Sequence, residues 1–142
     1  MSTSFKTSYH SASLRIIDRD MSLARMLDLY SLNSEFRQLP IVVTGISGMA
    51  IGFPLAFKLQ LEICVVRKNG DSTNALRALE GYIPQGDFVI LDDFIGCGTT
   101  VRTIISAIKK ESPLANCVGV ILYRLDAMDG WEKIDGIPIY YR

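Results

Sequence analysis

Phe88-Val-Ile-Leu-Asp-Asp-Phe-Ile-Gly-Cys-Gly-Thr-Thr-Val101 is the stretch that decides how this chain is read. Four apolar residues run into two adjacent carboxylates, Asp92 and Asp93. A Gly/Thr loop follows, and then Val101, Ile104, Ile105 and Ile108 recur at i, i+3, i+4 and i+7. A short unbroken apolar run is a strand covered on both faces; the recurrence is an amphipathic helix. The pattern puts an acidic pair at a sheet edge and exposes backbone N–H groups where a helix begins. Such N–H groups suit a phosphate, and carboxylates suit hydroxyls or a metal ion. A sugar phosphate would satisfy both halves together.

Outward from that stretch, strands and helices alternate. Leu14 to Ile17 could form a short strand, and a helix is expected over 22–39. Leu23, Met26, Leu27, Tyr30 and Phe36 share a face, Asp20 or Ser22 can cap the start, and Pro40 closes the end. Ile41-Val-Val-Thr44 is a second apolar strand, 45–48 a tight loop, and 49–59 a buried helix. Pro54 must kink that helix or lie in its first turn. A strand over 61–66 follows, then a polar stretch over 67–87 expected to hold a mobile loop. Thr99 or Thr100 can cap the helix after the acidic pair, Lys109 and Lys110 suit its negative end, and Pro113 stops it. A strand is expected over 118–122 and a last, edge strand over 137–141, since Pro138 cannot donate to a ladder. The reading is α/β: a single-domain parallel sheet flanked by helices. Residues 1–38 would make a small N-terminal hood and 39–142 the core.

The chain of 142 residues is long enough for one core, and 49% hydrophobic with 21% charged residues is a globular composition. A formal net charge of zero advertises neither nucleic acid nor an acidic membrane. No apolar run approaches the roughly 20 residues of a membrane span. Cys64, Cys97 and Cys117 have neither metal nor disulfide spacing, and the polar start lacks a signal peptide's apolar core. A cytoplasmic protein with reduced thiols is expected. Competing motifs fail. Gly45-Ile-Ser-Gly-Met49 is not G-x-S-x-G, no G-x-x-x-x-G-K-[ST] occurs, and Gly45, Gly48 and Gly52 do not make G-x-G-x-x-G.

In open α/β sheets, ligands bind beyond the carboxyl ends of the strands. Four such ends carry distinctive residues: Thr44-Gly-Ile-Ser-Gly48, Arg67-Lys68, Asp92-Asp93 with its loop, and Tyr123-Arg124. Two anion-binding loops and three cations then surround one acidic pair. The acidic pair would repel phosphates, so it must face hydroxyls or a bridging Mg²⁺. The ligand should carry two separated phosphate groups with a polyol between them.

Val89-Ile-Leu-Asp-Asp-Phe-Ile-Gly-Cys-Gly-Thr-Thr100 resembles the signature of the type I phosphoribosyltransferases. The likeness extends in order through Thr44-Gly-Ile-Ser-Gly-Met-Ala-Ile-Gly52, Val65-Val-Arg-Lys68, Leu79-Glu-Gly81, Val118-Gly-Val-Ile-Leu-Tyr-Arg124 and Gly136-Ile-Pro-Ile139, and looks closest to orotate-specific members. The resemblance implies that fold, and transfer of 5-phosphoribosyl from phosphoribosyl pyrophosphate (PRPP) to a nucleobase, a pyrimidine such as orotate, with release of pyrophosphate. Asp92 and Asp93 would be catalytic, holding the ribose hydroxyls directly or near Mg²⁺. Ile95, Gly96, Cys97, Gly98, Thr99 and Thr100 would bind the 5-phosphate. Gly45, Ile46, Ser47 and Gly48 would bind pyrophosphate with Arg67 and Lys68, and Arg124 would hold the base. The partners implied are PRPP, a nucleobase and a second copy in a homodimer. The chain departs from the orotate pattern at Ser47, where those enzymes carry a Lys, and in Asn69-Gly-Asp-Ser-Thr-Asn74, which has no basic residue. Gly96 stands where purine enzymes place an acidic base. A catalytically silent PRPP-binding regulator on the same fold is the alternative.

Overall fold

The computed structural model describes residues 15–67, 78–124 and 130–141. Helix α1 (Ile16–Leu32) starts well before the expected 22. It has no side-chain cap at Arg15, so neither Asp20 nor Ser22 begins it, and Ile16 and Ile17 are helical rather than extended. Ser22, Met26, Leu29 and Tyr30 make its buried face. It ends at Leu32 because the Asn33 side chain and backbone both donate to the Leu29 carbonyl, at 2.8 and 3.1 Å. A single 3-10 turn (Ser34–Phe36) then buries Phe36 against Tyr30 and Tyr140.

The strands are β1 (Ile41–Thr44), β2 (Ile63–Val66), β3 (Leu79–Gly81), β4 (Asp87–Asp92), β5 (Asn116–Leu122), β6 (Lys133–Ile134) and β7 (Ile137–Tyr141). Among the described residues they form one sheet in the order β3-β2-β1-β4-β5-β7-β6. The parallel centre runs from β2 to β7, and antiparallel β3 and β6 close its edges. Two expectations change here. The polar stretch after Arg67 includes β3. Strand β7 is not an edge, because the chain turns back on itself at Asp135-Gly136 and lays β6 alongside it.

The period-2 alternation of the strands splits the core into two layers. Val42, Phe88, Ile90, Val120 and Leu122 pack with Val101, Ile104 and Ile108 of helix α3 (Thr99–Glu111). Ile41, Val43, Val89, Leu91 and Ile121 pack with α1 and with helix α2 (Gly45–Leu59). The helical repeat read from 101 to 108 therefore points at one face of the sheet as expected. Pro54 lies in the middle of α2, so the Ala50 carbonyl has no i+4 N–H to receive. Gly52 lets α2 lie close on the sheet, since a Cβ there would sit 2.7 Å from Val43 Cγ1.

Candidate functional site

Strands β1, β4 and β5 end side by side, and their carboxyl ends carry the site. Asp92 is the last residue of β4, and Asp93 follows at once. Both are almost wholly buried, with 7% and 6% of their surface exposed. Asp92 Oδ1 accepts the Asp93 N–H at 2.9 Å, and Asp93 Oδ1 accepts the Phe94 N–H at 3.0 Å. Each carboxylate is thus oriented by the backbone that follows it. Tyr123 N–H donates to the Asp92 carbonyl at 3.2 Å and Arg124 N–H to the Asp93 carbonyl at 3.3 Å, so β5 extends the pairing past both aspartates.

The loop after the pair enters α3 through Gly98, whose φ of 85° is left-handed. Gly98, not Thr99 or Thr100, stands at the cap position, and no side chain caps the helix. Helix α2 behaves alike. Residues 45–48 are not a loop but its first turn, entered directly from β1 through Gly45 at φ 66°. The Thr44 hydroxyl at the cap position donates instead to the Val66 carbonyl at 2.7 Å. Two helix starts therefore present first-turn N–H groups with no side-chain cap, which is the arrangement that attracts anions.

One cleft of about 220 Å³ joins these parts. Thr44, Ser47, Asp92, Asp93 and the run from Phe94 to Val101 line it. The structure thus brings Asp92, Asp93, Ile95, Gly96, Cys97, Gly98, Thr99, Thr100 and Ser47 to one place. Gly45, Ile46 and Gly48 share the helical turn of Ser47 without lining the cleft. A second cavity, about 260 Å³, shares Thr44, Thr99 and Thr100 with the first and adds Arg67. Arg67 pairs with Glu80 of β3 at 2.9 Å, so its charge is already balanced at the cleft margin. The Arg124 guanidinium lies 5.3 Å over the ring of Phe94. Lys68, the 69–74 segment and most of the residues expected in the hood's first half lie outside the described residues.

Four residues to which pattern reading gave no role also shape the site: Tyr123, Arg25, Arg102 and Asp135. Tyr123 is fully buried, and its hydroxyl donates to the Ser47 carbonyl at 2.8 Å, tying β5 to the first turn of α2. Its own carbonyl accepts Arg25 Nη2 of α1 at 2.7 Å. No sequence signal marks that relay, because a buried tyrosine on a strand reads as core. Asp135 pairs with Arg102 beside the loop. The Asp-Gly dipeptide between Ile134 and Ile137 was the available signal, being one of the dipeptides that two-residue hairpin turns favour.

Cys97 is exposed in the loop with its thiol 3.0 Å from the Thr99 hydroxyl. Hydrogen bonding to Thr99 holds the thiol below its ordinary value, while burial pushes Cys64 and Cys117 up to about 11. Among the described residues no three His, Cys, Asp or Glu side chains cluster as a metal cage. Asp92 and Asp93 offer hard oxygen donors, which fit Mg²⁺ if a bound diphosphate supplies most of its ligands. No helix among the described residues is long and apolar enough to cross a membrane.

This is the type I phosphoribosyltransferase fold, as the resemblance implied. The adenine phosphoribosyltransferase of Saccharomyces cerevisiae, solved with an iminoaltritol bisphosphate and adenine, superposes with a TM-score of 0.64 at 23% identity, covering 89% of this chain and 79% of that one. The orotate phosphoribosyltransferase of Aeropyrum pernix superposes with a TM-score of 0.61 at 18% identity, covering 75% of this chain and 58% of that one. In sequence, the chain is 26% identical over 136 residues to an adenine phosphoribosyltransferase of Halothermothrix orenii, covering 85% of this chain and 78% of that protein. It is 38% identical over 60 residues to the transcriptional regulator GfcR of Halorubrum lacusprofundi, covering 41% of this chain and 26% of that protein. No family model matches the chain. Adenine and orotate enzymes both appear among the similar structures, so the fold does not single out a base.

Proposed function

We propose that this protein transfers 5-phosphoribosyl from PRPP to a nucleobase and releases pyrophosphate. One observation carries the reading: the acidic pair and two uncapped helix starts meet in a single cleft. The chain's similarity to phosphoribosyltransferases in fold and sequence supports it. The 5-phosphate would lie on the N–H groups of the 95–100 loop with the Thr99 and Thr100 hydroxyls. Pyrophosphate would lie at the first turn of α2, with Arg67 and Lys68 at its side. Asp92 and Asp93 would accept the ribose 2- and 3-hydroxyls between the two anion sites.

A ring nitrogen of the base would attack C1 as the C1–pyrophosphate bond breaks, through an oxocarbenium-like state. Little covalent chemistry is asked of the protein. Its work is to align the base with C1, hold the ribose, stabilise the departing anion and exclude water. Mg²⁺ bound with the diphosphate would neutralise part of its charge. The base would be a pyrimidine such as orotate, a reading supported by the Arg124 guanidinium over the ring of Phe94, which lines the cleft. Gly96 offers no carboxyl to a purine. Residues up to 38 would supply the hood, and the Arg25 bond to the Tyr123 carbonyl supports their reaching the cleft. A homodimer is proposed as well, since Ile46, Phe53 and Phe57 leave an exposed apolar stripe along α2. The reaction belongs in a cytoplasm, where PRPP is available.

The second reading is a PRPP-binding regulator without turnover. The lack of any basic residue over 69–74 favours it, as does the similarity to a protein named as a transcriptional regulator. Pyrophosphate release with Mg²⁺, PRPP and a panel including orotate and adenine separates the two. Turnover with any base establishes the enzyme, and orotate should lead. Calorimetric binding of PRPP without turnover selects the regulator, and no binding of PRPP rejects both.

A further inference from the structure

We infer that Arg102 and Asp135 are positioning residues that hold the phosphate loop in its binding shape from outside the cleft. The inference rests on the proposed 5-phosphate site. The loop has as its own ties the buried Ile95 and the contact of the Cys97 thiol with the Thr99 hydroxyl. It contains Gly96 and Gly98, and glycine gives up more conformational freedom than any other residue when it is fixed. Arg102, one turn into α3, spans the gap. Its Nη1 donates to the Cys97 carbonyl at 3.2 Å. Its Nε and Nη2 grip Asp135 as a fork, at 2.9 and 3.1 Å. Neither residue lines the cleft.

The other end of the fork is rigid. Asp135 and Gly136 are the two central residues of the β6–β7 hairpin, and both have positive φ, 50° and 82°. That is the type I′ turn, whose twist matches the flanking strands. Ile134, just before it, is buried, and its Cδ1 would lie 2.6 Å from a Cβ added to Gly98. The hairpin therefore bears on the loop twice, directly by Ile134 against Gly98 and indirectly by Asp135 holding the Arg102 guanidinium that donates to the Cys97 carbonyl.

Magnitude decides what this arrangement is for. The two side chains are 49% and 57% exposed, and exposed ion pairs add little to global stability. A planar fork with fixed donors is instead suited to geometry. Without it the loop must be re-ordered each time a phosphate binds.

The sign of the effect separates positioning from bulk electrostatics. If the pair acted only through its charges, Asp135→Asn would tighten an anion by removing a negative charge. Acting through position, Asp135→Asn must weaken it, as Arg102→Ala does. Asn tolerates the left-handed turn, so the hairpin is retained while the fork is lost. The experiment is calorimetry of ribose 5-phosphate and of Mg²⁺–pyrophosphate on the wild type, Arg102→Ala, Arg102→Lys, Asp135→Asn and the Arg102→Ala/Asp135→Asn double variant. Each single variant should bind ribose 5-phosphate about tenfold more weakly, the cost of re-ordering roughly one loop residue. The double variant should lose no more than either single, Arg102→Lys should not recover the loss, and pyrophosphate affinity should not move. Tighter or unchanged ribose 5-phosphate binding by Asp135→Asn overturns the inference, as do additive losses or an equal loss for pyrophosphate. A wild type that takes up neither ligand removes the phosphate-site reading and this inference with it. A wild type that binds both, with indifferent variants, removes the inference alone.

Discussion

Gly98→Ala against Gly96→Ala tests the loop geometry with an internal control. Gly98 has φ 85°, and an added Cβ would meet Ile134 Cδ1 at 2.6 Å and Arg102 Nη1 at 3.2 Å. An L-residue in that backbone region costs about 1–2 kcal/mol. The methyl contact adds a smaller amount, because Ile134 Cδ1 is the far end of a side chain and can shift. Gly96 lies only two residues away, yet its φ is not left-handed and its nearest neighbour would be Phe94 Cε2 at 4.0 Å. Alanine there meets no strain and reduces the freedom of the unfolded chain, which stabilises by about 0.4–1 kcal/mol where the backbone is compatible. The two variants should thus differ by about 2 kcal/mol, or about 6 °C in Tm for a domain of this size. The assay is calorimetric unfolding without ligand, followed by ribose 5-phosphate titration. Gly98→Ala should melt lower and bind more weakly. Equal melting temperatures would refute the assigned backbone of the loop, and with it the argument that this glycine forms the anion cradle.

Three further outcomes follow from the same site. Asp92→Asn with Asp93→Asn should leave the fold intact or slightly firmer, since two buried neighbouring carboxylates are relieved of repulsion. PRPP affinity or turnover should drop by about tenfold or more, on the order of 1.4 kcal/mol, and unchanged kinetics would count heavily against the ribose site. Iodoacetamide should alkylate Cys97 before Cys64 and Cys117. Its thiol is exposed and titrates low beside Thr99, so its rate should rise with pH earlier than theirs; Mg²⁺–PRPP should protect it, as peptide mass mapping would show. Tyr123→Phe keeps the buried ring and loses the bond to the Ser47 carbonyl, at a cost of about 1 kcal/mol. Pyrophosphate affinity should fall more than ribose 5-phosphate affinity, and an even loss across both would mean that Tyr123 only fills the core.

The centre of the fold was legible because its signals are local. The short run from Phe88 to Leu91, bounded by Asp87 and the acidic pair, reads as a doubly covered strand, and the spacing of Val101, Ile104 and Ile108 as a helix with one buried face, and both pack that way. The acidic pair and the Gly/Thr loop between them inherit their places from those two elements. Boundaries were less legible, because they depend on partners. Residues 45–48 look like a glycine loop until the chain is seen to enter α2 at Gly45, with Gly48 and Gly52 drawn close against Val43. Pro138 looks like an edge residue until the hairpin at Asp135-Gly136 covers β7.

Local chemistry written in consecutive residues was determined by the sequence alone: the strand, the carboxylates, the Gly/Thr loop and the helix that follows; that Gly98 and no threonine side chain stands at the helix cap was not. Tertiary structure decided which distant groups stand around them. Ser47 of α2 joins the cleft, Tyr123 at the end of β5 ties to Ser47, and Asp135 of the β6–β7 hairpin reaches Arg102 beside the loop. Hydrogen bonds between elements depend on how faces pack and on ångström-scale register, and neither is encoded in the spacing of any one segment.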